Sequence, residues 1–230
     1  MSKQDGSRTQ PERHSGLRRR IQSVAFWTLY HFGGTIYDRF TRLLFGDAWN
    51  RWRLTSLKLV ESGPVLDLGC GTGVLLSALA KRGFEAIGVD RERSMLRGAS
   101  RRPELAGQLL RANATRLPLQ SGSIGSCVST FPSGFILQPE TLNEIARVLR
   151  RGGVFLVVMS GETTERVWWR SPIRLMLRLF YGKRTTHSLP EESLLSHPQL
   201  RGEWRWIEYD YDRVLVWIAH RTDNRARCED

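Results

Sequence analysis

Val65-Leu66-Asp67-Leu68-Gly69-Cys70-Gly71-Thr72-Gly73 is the stretch that decides how this chain folds. A short apolar run holding one acid meets three glycines at alternate positions. Residues 74–82 then carry the apolar spacing of a helix, and Gly83 stops it. Strand, tight turn and helix in that order make the first unit of an open α/β sheet. Glycines allow the sharp turn and let a ligand approach the backbone. The helix offers its first N–H groups and the positive end of its dipole to the same spot. In such sheets ligands bind beyond the carboxyl ends of the strands.

The glycine spacing rules out two phosphate-binding turns. A dinucleotide turn needs G-x-G-x-x-G/A, and counting from Gly69 the sixth position is Val74; the third glycine comes one residue early, at Gly73. A P-loop needs Gly-Lys-Ser/Thr, which does not follow. Asp67 stands two residues before the first glycine. A carboxylate there repels a pyrophosphate but suits a ligand bearing an ammonium and a sulfonium. Asp90 ends the next strand, 21 residues after Gly69. An acid so placed binds ribose hydroxyls; taken alone, it serves equally as the acid at the start of the next helix.

Outward from this turn, strands alternate with helices. Strands are expected at 65–68, 86–89, 109–110, 124–129 and 153–159, and helices at 74–82, 91–99 and 139–150. The run 153–159 is apolar throughout, as a strand covered on both faces is. This alternation gives a parallel sheet with helices on both sides. Residues 163–181 look helical and 185–200 look like a loop. The β-rich runs 204–211 and 214–220 are parted by Asp212-Arg213, a hairpin signal that adds an antiparallel pair to the edge. The expected division is a basic arm over 1–20, a helical cap over 21–62, the α/β domain over 63–222 with an insertion at 161–200, and a polar tail over 223–230.

The chain has 230 residues, 40% of them hydrophobic, which suffices for one buried core with additions. Its net charge is +12, from 35 Lys and Arg against 23 Asp and Glu. That surplus either favours polyanions such as nucleic acid or anionic membrane, or only aids solubility. Cys70, Cys127 and Cys228 form no C-x-x-C pair, so neither a disulfide framework nor a metal site is suggested. This fits a reducing, cytoplasmic compartment. No stretch reaches the roughly 20 apolar residues of a membrane span. The Arg-rich N-terminus lacks the apolar core of a secretory signal.

Four segments, in order, resemble the class I S-adenosylmethionine (SAM)-dependent methyltransferases, in particular the type 11 group that includes the ubiquinone and menaquinone C-methyltransferases. Residues 65–73 are similar to that family's first motif, and Asp90 to its ribose acid. Ala112-Asn113-Ala114-Thr115-Arg116-Leu117-Pro118-Leu119 resembles its "G-D-A-x-x-L-P-F" segment. Glu144-Ile145-Ala146-Arg147-Val148-Leu149-Arg150-Arg151-Gly152-Gly153 resembles "E-x-x-R-V-L-K-P-G-G", and Tyr37-Asp38 a Tyr-Asp pair in the helices that cover the cofactor. The resemblance implies a three-layer, Rossmann-like α/β sandwich, its mostly parallel seven-stranded sheet ending in a C-terminal antiparallel hairpin. It implies SAM as cofactor, with contacts at Asp67, Gly69, Cys70, Gly71, Gly73, Asp90, Arg91, Asn113, Ala114 and Thr130. Asn113 would meet the adenine amino group through its side-chain oxygen, and Ala114 the ring through its N–H. Three departures mark a divergent member: Asn113 replaces an Asp, Gly125 replaces the Asp of Ser-Phe-Asp, and Arg151 stands where Pro is usual.

Methyl transfer from a sulfonium is an in-line displacement that depends on positioning, and needs a base only if the acceptor must lose a proton. The acceptor is expected beyond the fourth strand, at Ser129-Thr130-Phe131-Pro132-Ser133-Gly134-Phe135. This segment lacks the "D/N-P-P-Y/F/W" of amino-directed DNA methyltransferases. Cys127 lies inside the strand rather than after a Pro in the loop, where cytosine-C5 enzymes hold their nucleophile. Tyr30, His31, Tyr37 and Asp38 are candidate polar groups over the pocket; His31, Tyr37 and Thr130 are the candidate catalytic residues. Further on, Arg166, Arg170, Arg174 and Arg178 form one stripe if their segment is helical, with Trp169, Ile173, Met176 and Phe180 on another side. A helix over 166–184 then lies on an anionic membrane, or packs on the sheet with its arginines in water. The expected function is methyl transfer from SAM to a small or lipid-like acceptor. An RNA or protein methyltransferase and a non-catalytic SAM-binding domain are the alternatives.

Overall fold

The computed structural model of the chain describes residues 46–163, 192–209 and 211–222. The expected arm, the residues Tyr30, His31, Tyr37 and Asp38, the stripe within 166–184 and the tail lie outside them. Seven strands form one sheet: β1 Val65–Leu68, β2 Ala86–Asp90, β3 Leu109–Arg111, β4 Ile124–Thr130, β5 Leu149–Thr163, β6 Leu200–Tyr209 and β7 Asp212–Arg221. Their order is β3-β2-β1-β4-β5-β7-β6. The first five run parallel, and β7 runs antiparallel to both β5 and β6. The helices are α1 Ala48–Leu54, α2 Val74–Lys81, α3 Arg93–Ala99 and α4 Pro139–Val148. This is the mostly parallel, three-layer sheet with a C-terminal hairpin that the alternation and the family resemblance implied.

The pleat assigns each strand residue to a layer, because successive side chains point to opposite faces. Val65, Val128, Val154 and Leu156 turn to the face that α2 covers with Leu75, Leu76 and Leu79. Leu66, Leu68, Cys127, Phe155 and Val157 turn to the face that α4 covers with Leu142, Ile145 and Val148. α1 packs on the first face, where Ala48 and Trp52 meet Val158, Val214 and Val216. Asp67 lies two residues from Val65, so it points to the α1 and α2 side.

Several boundaries differ from the sequence expectation. β5 does not stop at Met159 but continues to Thr163, paired with β7 as far as Thr163↔Asp212. Its last residues are polar and carry no apolar signal, yet the backbone ladder holds them, and Arg213 Nε donates to Glu162 at 2.7 Å. Asp212-Arg213 is not a turn: both lie in β7, and Tyr209↔Asp212 is the pair that closes the hairpin. Within the expected loop 185–200, Glu192–Leu195 is a 3-10 helix and Leu195 is fully buried. α4 ends at Val148 and Leu149 already belongs to β5. The departure at Gly125 has a steric cause. A Cβ there would lie 2.6 Å from Gly63 O and 2.8 Å from Ser62 O, so the chain entering β1 fills the space an Asp would need.

Asp212 is instead an anchor. Arg51 of α1 donates to it from Nε at 2.7 Å and from Nη2 at 3.3 Å. Burial raises the Asp212 carboxyl, but Arg51, with hydrogen bonds from Thr163 and Trp52, outweighs that and holds it below its usual value. Beside this pair, Trp52 lies flat on Gly161, whose added Cβ would run into the indole ring. No helix among the described residues is long and apolar enough to cross a membrane.

Gly161→Ala is expected to lower stability by about 1–3 kcal/mol, the usual cost of forcing an extra carbon into a packed site. Gly134→Ala, whose Cβ meets nothing within 4 Å, is expected to stay within about 0.5 kcal/mol. Thermal denaturation of the two variants side by side checks this, and equal melting shifts would disprove the Trp52 contact as the cause.

Candidate functional site

β1 ends at Leu68, and the chain bends into α2 through Gly69, Gly71 and Gly73, all with positive φ. Two of these glycines are needed for different reasons. Gly73 precedes the first turn of α2 in the left-handed region, and a Cβ on it would lie 2.6 Å from Leu105 Cδ1. A Cβ on Gly71 would meet nothing within 4 Å. The turn is therefore packed from below at Gly73 and open at Gly71, where a ligand can touch the backbone.

Asp90 fixes that turn. Its Oδ2 accepts the Gly71 N–H at 2.9 Å and its Oδ1 accepts the Glu92 N–H at 2.8 Å. One carboxylate thus ties the end of β2 to the glycine bend and to the entry of α3, so its role at the helix start is real. Each oxygen retains a lone pair for a further donor, which leaves the ribose assignment open to it as well. Burial raises the Asp90 carboxyl, and the Glu92 and Gly71 N–H groups pull it part of the way back.

Asp67 is 1% exposed, and its Oδ2 has no hydrogen-bond partner among the described residues. Burial pushes its carboxyl up to about 7; the positive charge of Arg53 and the N–H of Leu76 oppose this, and Asp90 adds to it. A buried carboxyl oxygen without a donor is costly, and a cation placed beside it removes the cost. Open backbone at Gly71, a tethered carboxylate at Asp90 and an unsatisfied one at Asp67 together fit a ligand with a sugar at one end and a positive group at the other.

The remaining expected residues fall out as follows. Cys70 and Cys127 are buried, and burial pushes both thiols up, away from reactivity. Asn113 is exposed, and its Oδ1 accepts the Thr115 N–H at 3.2 Å, a local turn that orients the side chain. Ala114 is buried behind it. Arg91 points into solvent and pairs with Glu92 at 3.3 Å. Thr130 is the last residue of β4, half-buried and paired with Val158. His31 and Tyr37 lie outside the described residues.

Four features had not been read from the sequence. Phe135 covers the glycine bend, 3.3 Å from where a Gly69 Cβ would sit. Phe131 adopts φ 49°, a strained conformation for a bulky residue and one that gathers at functional sites. Its ring stacks on Trp49 at 4.0 Å, and Arg53 lies over the other partner of that stack, 5.4 Å from the Trp49 ring centre. Finally, Arg147 donates to Glu144 at 2.7 Å and to the carbonyls of Leu119 and Leu117 at 2.8 and 3.0 Å, while Glu144 accepts the Leu117 N–H at 2.6 Å. Two segments that resemble the family separately, 112–119 and 144–153, are one device: α4 grips the loop that carries Asn113 and Ala114. Only the last had a sequence signal, in the i, i+3 spacing of opposite charges.

The chain is similar to known methyltransferases. Residues 66–157 match the model of a methyltransferase-domain family. That segment holds Asp67, the glycine bend, Asp90, Asn113 and Thr130. The chain is 32% identical over 139 residues to an uncharacterized methyltransferase of Mycolicibacterium gilvum, covering 58% of this chain and 54% of that protein. It is also 32% identical over 129 residues to a demethylmenaquinone methyltransferase of Clavibacter sepedonicus, covering 53% and 52%. The chain spans about half the length of these curated relatives. In fold it is similar to a SAM-dependent methyltransferase of Thermotoga maritima, described as a possible histamine N-methyltransferase, with a TM-score of 0.57 at 19% identity over 86% of this chain and 99% of that one.

The Asp67 carboxyl generates a pH prediction. Its folded value of about 7 exceeds its ordinary 3.8, so between those values the native state holds a proton that the unfolded state has lost. Stability then falls as pH rises through that window: the contribution is complete below the ordinary value and gone above about 7. Relative to Asp67→Asn, which does not titrate, the wild type is expected to lose on the order of 2 kcal/mol between pH 5 and pH 8. Urea unfolding at both pH values measures this, and parallel pH profiles would contradict it.

Proposed function

We propose that this chain binds SAM at the glycine bend and transfers its methyl group to a small or lipid-like acceptor. The observation that carries the reading is the unpartnered Oδ2 of Asp67, buried beside an open bend that Asp90 holds in shape. The cofactor supplies a methyl group on a sulfonium, already activated for displacement.

The chain's own residues supply position. Asp67 accepts the α-ammonium of the cofactor's amino-acid end, which satisfies its free oxygen. Asp90, already fixed by two N–H groups, accepts from the ribose hydroxyls. Asn113, held by the Thr115 N–H, offers its side-chain oxygen to the adenine edge. Phe135 over Gly69 keeps water off the bend. Holding donor and acceptor in line contributes on the order of 7–11 kcal/mol in well-oriented reactions, and a base is needed only where the acceptor must lose a proton.

For the acceptor, the groups described at the carboxyl end of β4 are the Thr130 hydroxyl and the stacked rings of Phe131 and Trp49. Flat apolar walls with one hydroxyl suit an apolar or lipid-like molecule. The likeness to a demethylmenaquinone methyltransferase supports the same class. A cytoplasmic protein, peripheral to an anionic membrane through 166–184, belongs to this proposal; Cys70 and Cys127 are free thiols, which suits a reducing compartment. The net charge of +12 favours a second reading, an RNA or protein acceptor.

Calorimetry with SAM and with S-adenosylhomocysteine tests the cofactor. Asp90→Ala is expected to weaken both by about 100-fold or more, because a charged acceptor and the shape of the bend are lost together; retained affinity would refute the ribose assignment. Transfer of labelled methyl from SAM into an apolar extract, unaffected by salt, supports the lipid-like acceptor. Label appearing in RNA, with binding that falls steeply as salt rises, would replace it. SAM binding without transfer to any extract would leave a non-catalytic domain.

A further inference from the structure

Six exposed arginines stand at one corner of the sheet: Arg91, Arg93, Arg97, Arg101, Arg111 and Arg116. Residues 91–116 hold seven arginines, two glutamates and no lysine. Both glutamates are engaged, Glu92 with Arg91 at 3.3 Å and Glu104 with Ser77 and Lys81. Among the described residues no ion pair holds Arg93, Arg97 or Arg101. The fold keeps these charges at the carboxyl ends of the strands. Asp90 and Arg111 are paired as the last residues of β2 and β3, and Arg111 Nε donates to Arg91 O at 3.2 Å. Arg93 and Arg97 lie one turn apart on the same side of α3. Past α3, Arg102 Nε donates to Thr72 O at 3.0 Å, which brings its neighbour Arg101 up to the glycine bend. Arg116 follows in the loop that α4 grips. Like charges gathered in this way repel one another, and an anionic partner relieves them.

Two observations bear on the kind of partner. No Phe, Trp or Tyr occurs between Phe84 and Phe131. The arginine-bearing stretch therefore has no ring on which to stack a base, the usual means of holding unpaired RNA. Exposed apolar groups adjoin it on the α4 side. Leu137, just before α4, and Leu194, in the 3-10 helix packed against the Leu137 segment, are each 41% exposed. A phospholipid surface meets both features, its phosphates taking the arginines and its acyl boundary the leucines. A nucleic acid offers the leucines nothing.

We propose that this corner docks on an anionic phospholipid bilayer, with the arginines on its phosphates and Leu137 and Leu194 against its acyl boundary. This rests on the lipid-like acceptor proposed above, and it assigns a contact separate from 166–184. The planar fork of arginine suits a phosphate at two points, which a lysine does not reproduce. The glycine bend and Asp90 lie at the same end of the sheet, so an apolar acceptor leaving the bilayer reaches the methyl group by a short path.

Sedimentation with vesicles tests this, using phosphatidylcholine alone and equal parts of phosphatidylcholine and phosphatidylglycerol. The wild type should bind the anionic vesicles and lose most of that binding at about 1 M salt, where the screening length falls to ~3 Å. The triple variant Arg93→Gln, Arg97→Gln, Arg101→Gln should bind them on the order of 100-fold more weakly, since each arginine near an anionic surface contributes about fivefold. A control triple, Arg82→Gln, Arg150→Gln, Arg201→Gln, removes the same charge from exposed residues at the amino ends of the strands. It should stay within about twofold, because charges beyond a screening length count little. Leu137→Ser with Leu194→Ser should weaken binding severalfold through lost apolar contact. In neutral detergent, methyl transfer to an apolar extract should be equal in the wild type and both triple variants. Equal losses in the two triples, no loss in the leucine variant, or a wild type that ignores anionic vesicles overturns the docking corner. So does a corner that binds duplex RNA in place of vesicles. Transfer in detergent then persists and the acceptor reading stands; a wild type that methylates no apolar extract counts against that reading instead.

Discussion

Asp67 places an ionisable group at 1% exposure on an interior strand of a seven-stranded sheet, and an isolated carboxylate at such a place costs several kcal/mol. The fold reduces that cost only in part. Leu76 at the start of α2 lends an N–H and Arg53 lends a positive field, yet burial still raises the carboxyl far above its ordinary value. The remaining deficit is what a cationic ligand group would relieve. The glycine bend, the tether from Asp90 and the cover of Phe135 are arranged around that point. The site is therefore incomplete in the energetic sense before any ligand arrives, and its chemistry follows from what would complete it.

The elements around the bend depend on contacts made elsewhere. Arg147 and Glu144 on α4 hold the carbonyls and N–H of the 117–119 segment, which sets where Asn113 and Ala114 stand. Ser129 Oγ donates to Leu68 O at 2.7 Å and so locks the end of β4 to the end of β1. On the other face, α1 is fastened to β7 by Arg51 and Asp212 and to β5 by the contact of Trp52 with Gly161. The wall that bears Trp49 and Arg53 is thus positioned from the hairpin side of the sheet, away from the bend itself.

Much of this was legible in the sequence, for reasons that differ from part to part. The first strand, bend and helix were readable because glycine spacing and apolar period are local properties, and they fell where expected. Asp90 was readable by distance along the chain, though its work in holding Gly71 was not. Asp212-Arg213 misled because polar pairs usually mark turns; here tertiary pairing with Arg51 draws Asp212 into a strand. The polar end of β5 was missed since backbone pairing, not side-chain character, keeps it extended. Arg53 was invisible among many arginines, because only the packing of α1 against the Asp67 face distinguishes it. Gly125 was read as a lost acid, whereas the close approach of Ser62 and Gly63 shows there was no room for one.

The Arg51–Asp212 pair joins residues 161 positions apart. A ribosome adding about 5–20 residues per second needs roughly 8–30 s to cover that interval. β6 pairs only with β7, so the two strands can join the β5 edge of the sheet only once β7 has been made. Throughout the interval the Trp52 side of α1 is without the strand it rests on, and β5 presents an open edge to other chains. Vectorial synthesis therefore delays the nascent polypeptide in a sticky, half-built condition.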